Sequence, residues 1–174
     1  MGVEAYRVAV NIEKKENKQV IKEKLLELGG ILISEDNIYG RIDIDFYYQE
    51  GIIEILMENP YEIHKGLYGE DNISNVKNQL RVYMRIAKPN SEKIIDKLME
   101  LLANIDSCFG IKGILDLITG KKIDVYNYTE FKDDFIKSKI EFEIYYSGIP
   151  YPIKCHDVFP KYREIMKNKQ KDYE

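Results

Sequence analysis

Tryptophan is absent from this chain of 174 residues, histidine and cysteine occur only twice each, and proline five times. The two cysteines, Cys108 and Cys155, lack the CxxC spacing of a metal knuckle and the density of a disulfide scaffold, so buried, reduced thiols are expected. Glycine is scattered. Neither GxGxxG nor the P-loop pattern forms, which removes the usual cradles for nucleotide phosphates, and GxSxG and HExxH are missing as well. No apolar run approaches the roughly 18 residues that a membrane-spanning helix needs. The opening MGVEAYRVAVNIEKK has no basic and apolar leader, and Tyr6 stands where a myristoylation signal wants Ser or Thr. A cytoplasmic protein with no membrane partner is therefore expected. With 26 basic against 30 acidic side chains the formal net charge is −4, which argues against nucleic acid as a partner and suits a basic one. The chain is rich in Ile, Lys, Asn and Glu, a composition common in AT-rich bacterial genomes.

What the sequence does contain is a near-repeat. IKEKLLEL at 21–28 returns as IIDKLMEL at 94–101, and each is preceded by an alternating strand pattern, Tyr6–Ile12 and Leu80–Ile86. The helical stripes are Val20, Ile21, Leu25 and Leu28 in the first copy, and Ile94, Ile95, Leu98, Leu101 and Leu102 in the second. Asn90 or Ser91 can cap the second helix, and Gly29-Gly30 and Ala103-Asn104 offer equivalent stops. Hairpin patterns follow: IYGRIDIDFYY turning through QEG into IIEILME, and FGIKGILDLI turning through TGKK into IDVYNY. Asn59-Pro60 and Thr129 then signal helix starts, and Ile140–Ile144 alternates like a final strand.

The implied fold is α+β: two similar βαββ-type halves, read as tandem ferredoxin-like units, with an antiparallel sheet, helices on one face and a short C-terminal helix. The first unit spans 1–68, a linker 69–78, the second βαββαβ unit 79–146, and a Pro-rich tail 147–174; the two units are expected to form one compact domain.

Three groups of residues invite a chemical reading. Asp43 and Asp45 share a strand face with Arg41 and Tyr47, and Glu54 and Glu58 lie on the returning strand. Carboxylates spaced by two can converge on a divalent cation or act as an acid and base pair, whereas the simpler reading is a polar face with cross-strand Arg–Asp pairing. Arg81, Tyr83 and Arg85 form a basic and aromatic stripe, but without the aromatic-rich pattern of RNA-binding sheets. Cys155-His156-Asp157 are sequence neighbours whose side chains diverge, which speaks against a nucleophile and base pair; His64 lies beside Lys65 in a short helical pattern. Fourteen tyrosines, many on strand patterns, suit half-buried strands or an interface.

The stretch RVYMRIAKPNS at 81–91, running directly into the EKIIDKLMELLANI helix, resembles immunity proteins of bacterial polymorphic-toxin and contact-dependent inhibition systems. That resemblance implies a small cytoplasmic α+β protein that binds a cognate toxin domain and blocks it, with no chemistry of its own. It carries over no binding residues. The residues themselves suggest an interface of Asp43, Asp45, Tyr47, Glu54, Glu58, Arg81, Tyr83 and Arg85, in which the carboxylates act as a phosphate mimic towards a basic toxin. No cofactor, metal or catalytic residue is expected, and the chain could be a monomer or a dimer. The alternatives are a small-molecule-binding regulatory domain, or a metal-dependent enzyme using Asp43, Asp45 and Glu54.

Overall fold

Alternation in the first strand pattern becomes a division between two faces: Tyr6, Val8, Val10 and Ile12 are buried, while Arg7 projects from the other side. The computed structural model describes residues 5–14, 18–36, 40–57, 79–86 and 90–146, with side chains as far as Phe142. Its elements are β1 (Ala5–Ile12), α1 (Lys18–Glu27), β2 (Ile31–Asp36), β3 (Arg41–Tyr48), β4 (Gly51–Met57), β5 (Gln79–Arg85), α2 (Ile94–Phe109), β6 (Ile111–Asp116), β7 (Lys122–Ile123) and α3 (Thr129–Tyr146). The strands form a single sheet in the order β2-β3-β4-β5-β1-β6-β7, antiparallel at every pairing.

The protein is therefore α+β. All three helices bury apolar side chains against the same sheet face, where Ile21 and Leu25, Leu98 and Leu102, and Phe131 and Phe135 join one cluster with Val8, Ile44, Ile55 and Val82. Gly30 lets α1 come close, since a Cβ there would press on Ile44 and on the Leu25 carbonyl. The expected pair of βαββ-type units does not resolve into two separate sheets. β1 lies between β5 and β6, so the first strand of one half completes the other.

Several expectations need correction. Ile140–Ile144 is helix, not strand, so the second unit lacks the closing strand of a βαββαβ order. The reason is phase: Phe131, Phe135, Ile136 and Ile140 are buried at helical spacing, and no Gly or Pro interrupts propagation between Thr129 and Tyr146. Buried Lys139 anchors that helix by donating to the Ile86 carbonyl at 2.5 Å. α2 does not stop at Ala103-Asn104, because Ile105 and Phe109 extend its apolar stripe; Gly110, at φ 70°, closes it with its N–H on the Asp106 carbonyl. β2 forms a strand that the near-repeat does not include. The linker, the Asn59-Pro60 helix start, His64 and the tail with Cys155-His156-Asp157 lie outside the described residues.

Asn90 does not cap α2. It is 2 % exposed, and its side chain closes on β4 as a strand would, accepting from the Ile52 N–H at 3.0 Å and donating to the Ile52 carbonyl at 3.2 Å. The Ser91 N–H adds a bond to the Glu50 carbonyl at 2.8 Å, and Ser91 Oγ takes the Lys93 N–H at 3.1 Å. This corner ties the start of α2 to the β3–β4 turn, and Gly51 leaves room for it, since a Cβ at that position would collide with the Asn90 amide. Across the sheet, the buried Tyr6 hydroxyl donates to Asp116 at 2.5 Å, while its ring meets Phe131 and Phe135 edge-on. Asp116 also takes the amides of Ile118 and Thr119, which shapes the turn before β7.

Replacing Asn90 by Ala leaves the Ile52 amide and carbonyl without these partners in a closed site, and should lower stability by about 2 kcal/mol. Urea denaturation compared with the unsubstituted protein checks this, and a loss below about 0.5 kcal/mol, the level of an ordinary surface change, would show that the clamp contributes little.

Candidate protein-binding face

The sheet face opposite the helices carries the polar members of each strand, and register decides who meets whom. Asp45 of β3 lies opposite Glu54 of β4, Glu54 opposite Tyr83 of β5, and Tyr83 opposite Arg7 of β1. The next row runs Ser34, Asp43, Leu56, Arg81, Ala9. A third runs Tyr47, Ile52, and the other side of β5 at Arg85 sits opposite Ala5. Asp43, Asp45, Tyr47, Glu54, Arg81, Tyr83 and Arg85 thus occupy one surface; Glu58 lies outside the described residues. Segments far apart in sequence reach it because β5 pairs with β4 on one side and β1 on the other.

Most of its charges are already paired. Arg85 grips Glu54 with two bonds, Nε to Oε2 at 3.0 Å and a terminal nitrogen to Oε1 at 3.3 Å. Arg41 Nε reaches Asp43 at 3.1 Å, and Ser34 Oγ donates to the same carboxylate at 2.5 Å. Such partly exposed pairs add little stability, but they fix side-chain directions. Asp43 and Glu54 therefore face guanidinium groups and not a common point, and among the described residues no group of three or more His, Cys, Asp or Glu could hold a metal ion. Cys108 is a free, half-buried thiol on α2, away from this face.

Asp45 is the exception among these carboxylates. Its carboxylate accepts only the Tyr47 hydroxyl, at 3.1 Å, and no cation lies within ion-pair distance of it among the described residues. Burial raises the Asp45 carboxyl above the ordinary carboxylate range, and the Glu54 and Asp43 charges push the same way, against the Tyr47 bond and the Arg85 charge. Tyr47, 55 % exposed, has its hydroxyl raised by the bond it makes to Asp45. The guanidinium groups of Arg7 and Arg81 likewise have no hydrogen-bond or ion-pair partner among the described residues.

The face carries cations as well as the carboxylates. Asp43, Asp45 and Glu54 lie on β3 and β4, and Arg81, Arg85 and Arg7 on β5 and β1, with Arg41 beside the carboxylates of β3. Between them lies a concavity of about 460 Å³, with Leu56 and Ala5 as apolar floor, Tyr83 and Ile33 as walls, and Arg41, Asp43, Asp45, Glu54 and Arg85 around it. Sequence reasoning missed Arg7 and Ile33. Arg7 was visible as the charged outward member of an alternating strand; Ile33 reaches this face only because the β2–β3 register shifts between Leu32 and Ser34.

No family model matches the chain, and no curated protein or solved structure matches it either. No described helix is long and apolar enough to cross a membrane.

The Asp45 carboxyl should titrate above the roughly 3.9 of an unperturbed aspartate, as read from its side-chain carbon resonance over a pH series. The sign for stability follows: with the folded value raised, ionised Asp45 costs stability at neutral pH, and that cost disappears as pH falls through the folded and then the unfolded value. Asp45→Asn should therefore stabilise the protein at neutral pH and give no advantage in acid. Equal gains at both would contradict the assignment.

Proposed function

We propose that this protein is an immunity protein, one that binds a cognate bacterial toxin domain by direct contact through the open sheet face and blocks it. The observation that carries this reading is the isolated, partly desolvated Asp45 beside Tyr47 and Tyr83, on a face whose remaining carboxylates are held in place by Arg41 and Arg85. Preorganised charge with aromatic anchors is what tight protein recognition requires, because little ordering is left to be done on binding. The complementary partner surface is a basic side chain over Asp45 and an acidic one over Arg81 and Arg7. Neutralisation by masking needs no catalytic group.

The second reading is a small-molecule-binding regulatory domain, favoured by one observation: the volume of the concavity, about 460 Å³, lies within the range of small-ligand sites. Such a ligand would be zwitterionic, to meet both signs of charge in the lining.

Affinity capture of tagged protein from lysate of the native host, with a high-salt wash and mass spectrometry, separates the two. The immunity reading expects one stoichiometric toxin-like partner, lost at least tenfold in affinity on Asp45→Lys and on Tyr83→Ala, tenfold being about 1.4 kcal/mol. Binding unchanged in both variants would refute the placement of the interface. An empty lane from cells expressing the neighbouring toxin, together with a thermal shift from a metabolite, would favour the small-molecule reading.

A further inference from the structure

Away from β3 and β4 the open face bears cations only. On β5, β1, β6 and β7 the residues that share this face, followed through the register Arg81, Ala9, Leu115 and Lys122, include no carboxylate among the described residues. The chain as a whole carries a net charge of −4, so this patch runs against its overall sign. Of the four arginines among the described residues, Arg41 is paired with Asp43 and Arg85 with Glu54. The guanidinium groups of Arg7 and Arg81 have no partner there, and the Lys122 ammonium has none either. Register makes the two arginines neighbours: Arg7 is opposite Tyr83 and Arg81 opposite Ala9. They therefore stand diagonally across the β1–β5 ladder, about 7–8 Å apart at the backbone. Ala9, which adjoins both and is 2 % exposed, keeps the floor between them low. Like charges this close repel, a cost that an anion held between them would cancel.

We propose that Arg7 and Arg81 form a binding site for a phosphoryl group carried by a small ligand. Two guanidinium forks bring two positive charges and paired N–H donors, which match a doubly charged tetrahedral oxyanion; a lone carboxylate would leave one of the charges unanswered. Lys122, in the row of Arg81 and beyond Leu115, adds to the attractive potential. Glu54 and Asp45, in the row of Arg7 and Tyr83, bound the site on its other side. Their charges would repel a long polyanion such as nucleic acid, which favours a compact ligand. Tyr83 adjoins both arginines, opposite Arg7 and two residues from Arg81 on β5, and so stands beside whatever carries the phosphoryl group. The site does not rest on the toxin-binding reading, in which an acidic side chain of the partner meets the same two residues. Failure to bind phosphate would leave that interface untouched.

Inorganic phosphate, titrated into the full chain at neutral pH, should shift the side-chain Nε–H resonances of Arg7 and Arg81 saturably with a millimolar Kd, and sodium chloride at equal ionic strength should not. Arg7→Gln and Arg81→Gln should each weaken phosphate binding at least tenfold, while Lys24→Gln, an equal loss of charge on α1 behind the sheet, should leave it unchanged. Phosphate should also raise the melting temperature of the parent protein and not that of Arg81→Gln, since a ligand that binds only the folded chain stabilises it. Shifts reproduced by chloride, or unaltered in both arginine variants, would overturn the site. Acetate binding as tightly as phosphate would overturn the assignment to a doubly charged group.

Discussion

The pairing of β1 on both of its edges is the constraint from which the rest of the architecture follows. Its register with β5 brings Tyr6, Val8 and Val10 level with Met84, Val82 and Leu80, and its register with β6 sets Val8 and Val10 against Asp116 and Ile114. Through β5 it reaches β4, β3 and β2, and through β6 it reaches β7, so the ends of the sheet are connected only by way of this strand and its two neighbours. Because alternation sends every second β1 side chain into the helix-covered core, its remaining residues are confined to the open face. There Ala5 and Ala9 keep the floor low and Arg7 supplies charge. The Tyr6–Asp116 bond joins β1 to the end of β6 across 110 residues of sequence.

The open face owes its character to the same geometry. Arg85 and Glu54 meet because β5 and β4 are neighbours in space, although 31 residues separate them in the chain. Arg41 and Asp43 meet within one strand, two residues apart. With these carboxylates neutralised, the one left without a cation among the described residues, Asp45, becomes the distinctive feature, and its burial beside two like charges raises its proton affinity. The Asn90 clamp acts from below, holding Ile52 and the β3–β4 turn against the start of α2, and so steadies the strand that carries Glu54.

Much of this was legible in the sequence. Period-two runs located β1, β3, β4, β5 and the β6–β7 hairpin, and helical stripes located α1 and the body of α2, because in each case burial on one face dictates the pattern. Where local patterns competed, sequence reasoning failed for identifiable reasons. IEFEI at 140–144 alternates as a strand would, yet it continues the helical phase of Phe131 and Phe135, and the longer element prevailed. ILISED at 31–36 has no alternation to detect, since an edge strand with little burial on either face is under little pressure to alternate. Asn90 reads locally as a helix cap, and nothing in its neighbourhood announces Ile52.

The sequence by itself determined the class of the protein, the faces of most strands and the residues of the polar surface, since these depend on which side chains must leave water. Tertiary structure alone decided that β1 sits between β5 and β6, that Arg85 answers Glu54, and that Asp45 stands without a cation among the described residues. Those outcomes depend on which strands become neighbours and in what register, and that choice is made by pairings between distant segments, which no local period encodes.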